Sequence, residues 1–133
     1  MQNYSVKSRS GINSNGSIKI NQDCYCAKHL KKKSDISIFC VLDGHGTYGK
    51  QASNYAADFI TDYFNKDKLN NYKKDHITDC MDKSIYQILI DKNHRYIKQC
   101  FIDIESDFSK SKQNDYSYSG TTAVLILIMG NIS

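Results

Sequence analysis

The sequence predicts an α+β fold in which antiparallel strands and long helices form separate layers. Two apolar segments at residues 23–28 and 36–42 fit a hairpin, a region from about 49 to 111 has helical periodicity, and an apolar segment over 121–129 follows. Strands and helices are therefore segregated along the chain, which favours an α+β layer fold over a doubly wound sheet. A length of 133 residues, 40% of them hydrophobic, fits one domain.

The N-terminal third is predicted to consist of strands and turns. Residues 3–10 alternate loosely and predict a first strand, whereas residues 11–17 are rich in Gly, Asn and Ser and predict a loop. Residues 23–28 predict a short strand, and residues 29–35 a charged connection. Residues 36–42 begin with alternation and become continuously apolar, which predicts a buried strand paired as a hairpin with the preceding one.

The middle of the chain is predicted to be helical. A helix from about residue 49 to 65 is indicated by one stripe of apolar residues, namely Ala52, Tyr55, Ala56, Phe59, Ile60 and Phe64. Residues 65–74 predict a polar loop, and residues 75–111 predict further helix in one or two pieces. A polar loop over 109–118 then leads into a last apolar strand, Thr121 to Met129.

Charge and hydropathy argue against two classes of partner. The net charge is +4 with a pI near 8.7, without the concentrated basic stripe of a nucleic-acid-binding protein. The one tight basic run, Lys31–Lys33, is interpreted as a solvated turn. The longest apolar run, Ala123–Met129, is too short to span a bilayer, and the N-terminus has no apolar signal-peptide core. We therefore expect a cytoplasmic or nuclear protein with neither a nucleic-acid nor a membrane partner.

The cysteines indicate a reduced chain. They lie at Cys24, Cys26, Cys40, Cys80 and Cys100. The count is odd and no secretory signal accompanies it, which favours free thiols in an intracellular setting. Cys24 and Cys26 are separated by one residue, unlike the two-residue spacing of zinc or redox pairs. A small redox or metal protein built on cysteines is therefore disfavoured, and core side chains are expected.

The strongest chemical signal is Asp43-Gly44-His45-Gly46 at the end of an apolar strand. The two glycines permit a tight turn and a close approach of the backbone to a ligand. An aspartate at a strand end supplies a hard oxygen ligand for Mg²⁺ or Mn²⁺, and a histidine two residues later supplies an acid or base near neutral pH. Taken alone, the segment is equally compatible with a turn whose aspartate caps a helix.

A second signal is Lys19-Ile20-Asn21-Gln22-Asp23 at the start of the first hairpin strand. If the hairpin is in register, this strand begins at the sheet end where the next one finishes, so Gln22 and Asp23 lie near Asp43. Two acidic residues at one sheet end suggest a divalent cation site. An ordinary Asx turn is the alternative. A third segment, Ser119-Gly120-Thr121-Thr122-Ala123, is interpreted as a structural turn of small residues into the last strand.

These three segments, in this order and with Gly49 following the second, together resemble the type 2C metal-dependent protein serine/threonine phosphatases. The resemblance covers nearly the whole chain but only the N-terminal half of the family's catalytic domain, so residues 1–133 are expected to form a single partial domain. It implies a four-layer fold, incomplete here, in which two antiparallel sheets pack face to face with helices outside. It also implies a two-metal centre of Mn²⁺ or Mg²⁺ that activates water to hydrolyse phosphoserine or phosphothreonine in a phosphoprotein substrate.

The resemblance assigns roles to particular residues. Asp43 matches the carboxylate that bridges both metals, and Gly44 the residue that offers its backbone carbonyl. His45 matches the candidate general acid for the leaving alkoxide. Asp23 matches an acidic residue near the metals, and Gln22 stands where many members have glutamate, so that it would act through water.

Two departures from the family pattern affect the expected activity. Many members carry a phosphate-binding arginine where this chain has Ile18; Lys19, one residue later, supplies a point charge without the bidentate fork of arginine. The family's later metal-binding aspartates have no counterpart, since residues 124–133 contain no carboxylate. We therefore expect a truncated phosphatase, weakly active or inactive alone.

The missing aspartates favour an alternative function, in which the chain is a non-catalytic phosphatase-like binding or regulatory module. The incomplete sandwich predicts self-association, because an uncovered apolar sheet face and free strand edges favour contact with a second copy.

Overall fold

The computed structural model of the chain describes residues 4–30, 36–65, 68–69, 88–89, 94–110 and 117–130. Within these residues a sheet carries two helices on one face. The strands are β1 (Asp23–Leu30), β2 (Ile36–His45), β3 (Gly120–Thr121) and β4 (Val124–Met129), and the helices are α1 (Gly49–Tyr63) and α2 (Arg95–Lys110). This architecture confirms the α+β class. A second sheet facing the first is not among the described residues.

The central strand of the sheet is β2. β1 pairs with it antiparallel along its whole length, beginning at Asp23 opposite Asp43, which confirms the predicted hairpin. β4 pairs antiparallel with the other edge of β2. β3 continues that edge with the same offset, so that Gly120 lies opposite His45. The end of β2 is therefore flanked by segments from two distant parts of the chain.

The core lies between the sheet and the helices. Every second residue of β2 is buried there: Ile36, Ile38, Cys40 and Leu42. α1 covers this face with buried small and apolar side chains: Ala52, Ala56, Ala57 and Ile60. Alanines leave room for the helix to approach the strands closely, and burying a large side chain such as Leu42 stabilises the fold by about 1.5–3 kcal/mol. The predicted apolar stripe of this helix is confirmed, although the helix ends at Tyr63.

Aromatic contacts join α2 to α1. Tyr96 is buried, its ring centroid lies 4.8 Å from that of Tyr63, and its hydroxyl donates a hydrogen bond to the Tyr63 carbonyl at 2.6 Å. Near the other end, the Tyr55 ring lies 5.4 Å from Phe108, and the Tyr55 hydroxyl donates to the Asp107 carboxylate. Burial, together with this carboxylate, raises the pKa of Tyr55 to about 12.

The structure corrects three predictions about the elements. Residues 4–10 belong to no strand, and β2 runs on to His45 instead of ending at residue 42. The last apolar segment is not one strand over 121–129, because β3 ends at Thr121 and β4 begins at Val124, and Val124, Ile126 and Ile128 of β4 are exposed. Most of the region 75–93 lies outside the described residues, although Ile88 and Leu89 are helical and buried as predicted. Cys80 and the run Lys31–Lys33 also lie outside them.

The second face of the sheet is apolar and uncovered in the described part of the chain. Val41, Val124 and Ile126 are 61%, 61% and 53% exposed there. Tyr4 reaches Phe39 on this face, with ring centroids 5.2 Å apart and nearly perpendicular. Among the β2 residues whose side chains point to this second face, Ser37 is buried and Phe39 half-buried, whereas Val41, Asp43 and His45 are exposed. None of the helices within the described ranges has the length and apolar character needed to cross a bilayer.

Candidate functional site

Two carboxylates meet at one end of the sheet. Asp23 and Asp43 are direct partners in the β1–β2 ladder, and both side chains are exposed. Directly opposed residues of an antiparallel pair have Cβ atoms about 4.5–5.5 Å apart and lie on the same face. The structure thus brings together the two acidic residues singled out in the sequence.

His45 shares this face because it lies two residues after Asp43 along β2. Its imidazole lies against Gly120 of β3. A methyl group placed on Gly120 would be only 3.0 Å from His45 Nε2. The absence of a side chain at Gly120 therefore provides the space in which the imidazole lies.

Close backbone packing fixes the turn between β2 and α1. A methyl group on Gly44 would lie 2.1 Å from the Gly49 carbonyl oxygen, a distance no side chain tolerates. Gly46 has φ +82°, a left-handed conformation that glycine adopts without strain. The Gly49 amide donates to the Gly46 carbonyl at 3.2 Å, which closes the turn. These glycines position Asp43 and His45 at the mouth of the turn.

Gln22 connects the start of β1 to this turn. Its side-chain amide donates to the Gly46 carbonyl at 2.9 Å, and its own backbone carbonyl accepts the Gly44 amide at 3.3 Å. Its Oε1 atom faces Gly49, since a methyl group there would lie 2.5 Å away. Gln22 therefore stabilises the turn by hydrogen-bonding the backbone of both Gly44 and Gly46.

Two residues of α1 hydrogen-bond to the backbone carbonyls of Gln22 and Asp23. Ser53 is fully buried, and its hydroxyl donates to the Gln22 carbonyl at 2.6 Å. The Lys50 ammonium donates to the Asp23 carbonyl at 3.0 Å. Sequence reasoning missed both residues, because neither residue type nor spacing distinguishes them from ordinary helix positions.

The segment from Ser119 to Thr122 braces the site from the other edge of β2. The Ser119 hydroxyl accepts the Tyr48 amide at 3.0 Å. The Thr122 amide donates to the Asp43 carbonyl at 2.9 Å, and the Thr122 hydroxyl accepts the Asp43 amide at 3.3 Å. Both backbone groups of Asp43 are therefore bound, in agreement with the structural role expected of this segment.

Lys19 lies apart from these contacts. It is exposed in the N-terminal segment, and its amide donates to the Gly11 carbonyl at 2.9 Å, next to a turn that contains Gly16 in a left-handed conformation. Among the described contacts, none joins the Lys19 side chain to Asp23, Asp43 or His45. Among the contacts of the described residues, the lysine that reaches the start of β1 is Lys50, which donates to the Asp23 carbonyl.

The donor set at this end of the sheet suits a hard cation in part. Two carboxylates and nearby backbone carbonyls are the oxygen ligands that Mg²⁺ and Mn²⁺ prefer. In the ranges that the structure describes, however, no cluster of three or more His, Cys, Asp or Glu side chains could hold a metal ion. Such ions take about six ligands, so water or further residues would complete the coordination.

The cysteines are core residues rather than a second site. Cys26 and Cys40 face each other across β1 and β2, both are buried and free, and Cys100 of α2 is buried. A hydrogen bond with Cys40 lowers the pKa of Cys26 to about 7, whereas hydrogen bonding to Cys26 and burial raise that of Cys40. Burial raises the pKa of Cys100 to about 12. The thiols predicted as core are confirmed as such wherever the chain is described, except for half-buried Cys24.

Comparison with known proteins identifies the class to which this arrangement belongs. The family model of protein phosphatase 2C matches residues 3–132, and the chain belongs to that family. A relative from Arabidopsis thaliana, named "Probable protein phosphatase 2C 35", is 29% identical over 129 residues. The match covers 96% of this chain and 31% of the relative, so the chain spans about a third of its length. No solved structure gives a significant match.

Proposed function

We propose that the chain forms the N-terminal part of a metal-dependent protein serine/threonine phosphatase and binds Mn²⁺ or Mg²⁺ at the edge of the sheet where β1 begins and β2 ends. The observation that carries the proposal is the placement of Asp23 opposite Asp43, with His45 on the same face. Membership of the protein phosphatase 2C family supports the reaction class. The substrate would be a phosphoserine or phosphothreonine side chain of another protein.

In this proposal, the chain's own residues hold the metals and move one proton. Asp43 and the Gly44 carbonyl would hold the cations, with Asp23 and Gln22 acting directly or through water. When bound, the divalent cations lower the pKa of water and neutralise charge on the phosphoryl oxygens. His45 would deliver a proton to the departing serine or threonine oxygen. Lys19 as a phosphate-binding residue remains a prediction.

The experiment measures two quantities for the purified chain: its rate of p-nitrophenyl phosphate hydrolysis in the presence of Mn²⁺, and its affinity for Mn²⁺. Asp43→Asn is compared with Asp58→Asn, which alters an exposed carboxylate in α1. The proposal expects a weak, chelator-sensitive rate that Asp43→Asn abolishes and Asp58→Asn leaves unchanged. Failure of the chain to bind Mn²⁺, or equal binding by Asp43→Asn, would contradict it.

The exposed sheet face supports a second candidate function, that of a non-catalytic phosphatase-like module which associates through this face. Its apolar side chains form one surface across three strands, with Val41 of β2 in the middle, Tyr25 of β1 on one side and Val124 and Ile126 of β4 on the other. Such a patch marks an interaction site, and a second copy of the chain is the partner expected. Sedimentation at micromolar concentration tests this, because a stable compact monomer would exclude self-association. Mn²⁺ binding without hydrolysis would favour this function over catalysis.

A further inference from the structure

We propose that Lys50 and Ser53 of α1 are positioning residues that keep Asp23 aligned with Asp43. This inference rests on the proposed function, since it concerns the metal affinity of the same carboxylates. Neither residue is proposed to bind the metal itself. Their action is on the backbone of β1, from the side of the sheet that α1 covers.

The first step is the hydrogen bonding of the Gln22 carbonyl. This oxygen accepts the Ser53 hydroxyl at 2.6 Å and the Gly44 amide at 3.3 Å. One atom of the residue before Asp23 is therefore bound by the helix and by the opposing strand together. Ser53 is 0% exposed, so water cannot replace its hydroxyl when it is removed.

The second step is the next carbonyl along the chain. Lys50 donates to the Asp23 carbonyl at 3.0 Å, and the Ser53 hydroxyl shares its single proton between the Gln22 carbonyl at 2.6 Å and the more distant Lys50 carbonyl at 3.1 Å. Residues three apart lie on one face of a helix, so Lys50 and Ser53 bind consecutive carbonyls from a single surface. A charge-assisted bond of this kind is stronger than a neutral one.

The third step is that the helix itself is fixed relative to β2. Gly44 and Gly49 pack so closely that a methyl group on Gly49 would lie 2.8 Å from the Gly44 carbonyl carbon. The position of α1 is therefore fixed relative to the end of β2. The hydrogen bonds from Lys50 and Ser53 in turn fix the start of β1 relative to α1. The separation of the Asp23 and Asp43 carboxylates would depend on these bonds. Hydrogen bonds to the side chains of metal ligands typically change metal affinity 10–100-fold, and bonds to the backbone of a ligand are expected to act at the lower end of that range.

The test measures the Mn²⁺ dissociation constant of the full chain by electron paramagnetic resonance of free Mn²⁺. Ser53→Ala and Lys50→Met are each expected to weaken binding by about 10-fold. Lys50→Arg retains a cationic donor and should restore affinity to within about 2-fold, because charge-assisted donation is preserved. Thr61→Val removes an α1 hydroxyl that bonds to the Ala57 carbonyl at 2.7 Å and to the Cys26 thiol, away from Gln22 and Asp23, and should leave the constant unchanged.

Amide hydrogen exchange of Gly44 gives a readout that does not need metal. The inference expects faster exchange of this amide in Ser53→Ala than in Thr61→Val, because the Gln22 carbonyl would be less firmly held. Unchanged Mn²⁺ affinity in both Ser53→Ala and Lys50→Met would overturn the inference. If the unsubstituted chain binds no Mn²⁺, the proposed function fails instead. In that case, equal exchange rates of the Gly44 amide in Ser53→Ala and Thr61→Val would refute the positioning role.

Discussion

Asp23 lies directly opposite Asp43 across the β1–β2 ladder, at the one end of the sheet where α1 begins. Two carboxylates placed in this way repel each other, and nothing in their ladder position relieves that repulsion. Like charges directly opposite each other cost the fold some stability, and a cation bound by both carboxylates, as proposed above, would offset that cost.

Removing one charge of the pair should stabilise the metal-free chain. Like charges directly opposite in an antiparallel pair are destabilising, and neutralising one should raise the free energy of unfolding by about 0.2–1 kcal/mol. Asp23→Asn in chelator is thus expected to melt above the unsubstituted chain, and to lose that advantage in excess Mn²⁺. Thermal unfolding followed by circular dichroism measures both conditions. Asp58→Asn serves as the control, and an identical response in that variant would argue against repulsion within the pair.

Adding a methyl group at Gly120 should displace His45 with little change in stability. The added carbon would lie 3.0 Å from His45 Nε2, which is the movable end of an exposed side chain. Gly120→Ala is therefore expected to shift the nuclear magnetic resonances of the His45 ring while the unfolding midpoint changes little. Gly11→Ala, where the nearest atom would be at an ordinary 3.5 Å, is the matched control. An unshifted His45 ring in Gly120→Ala would show that the imidazole lies elsewhere in solution.

Gly46 and Gly16 allow backbone strain to be separated from steric overlap. Both have left-handed φ, +82° and +81°, so alanine at either position costs about 1–2 kcal/mol. A methyl group on Gly46 would also lie 2.2 Å from the Tyr118 carbonyl oxygen, whereas Gly16 has open space around it. Gly46→Ala should therefore lose a further ~1–3 kcal/mol beyond Gly16→Ala, as overpacking does. Equal losses in urea unfolding would mean that the turn moves freely away from Tyr118.

The phenol of Tyr55 should make the fold less stable in alkali. Its pKa is raised to about 12 by burial and by the Asp107 carboxylate, so between pH 10 and pH 12 the folded chain holds a proton that the unfolded chain has lost. Stability must then fall as pH rises through that window. Tyr55→Phe should show a shallower fall, measured by urea unfolding at several pH values. Tyr25→Phe, which alters an exposed phenol, should retain the slope of the unsubstituted chain.

The sequence predicted the acidic pair because hairpin register is a local property. Apolar alternation placed two strands on either side of a charged connection, and antiparallel pairing then brought Asp23 to Asp43. The same reasoning ended β2 too early. Glycines at positions 44 and 46 predict a break, but Gly44 remains in the strand because the close approach of Gly49 suits a residue without a side chain.

The supporting residues could not be predicted, since they depend on how α1 sits against the sheet. Lys50 and Ser53 carry no pattern of their own, and their partners are backbone carbonyls that any residue supplies. An uncovered apolar face was expected, but the sequence did not predict which residues of β4 would be exposed, because an apolar run gives the same pattern whether one face or both are covered.

β2 pairs with β1, which precedes it in the chain, and with β3 and β4, which follow it much later. This order has a consequence for the nascent chain during translation. Asp43 meets Asp23 within one hairpin, but its other neighbour, Thr122, is 79 residues away along the chain. During synthesis, the hairpin and α1 leave the ribosome long before β4 exists. Throughout that interval one edge of β2 has no partner, and an unpaired edge invites pairing with another nascent chain. The edge of β2 that β4 later covers is therefore open to aggregation during translation, in addition to the face that stays exposed in the folded chain.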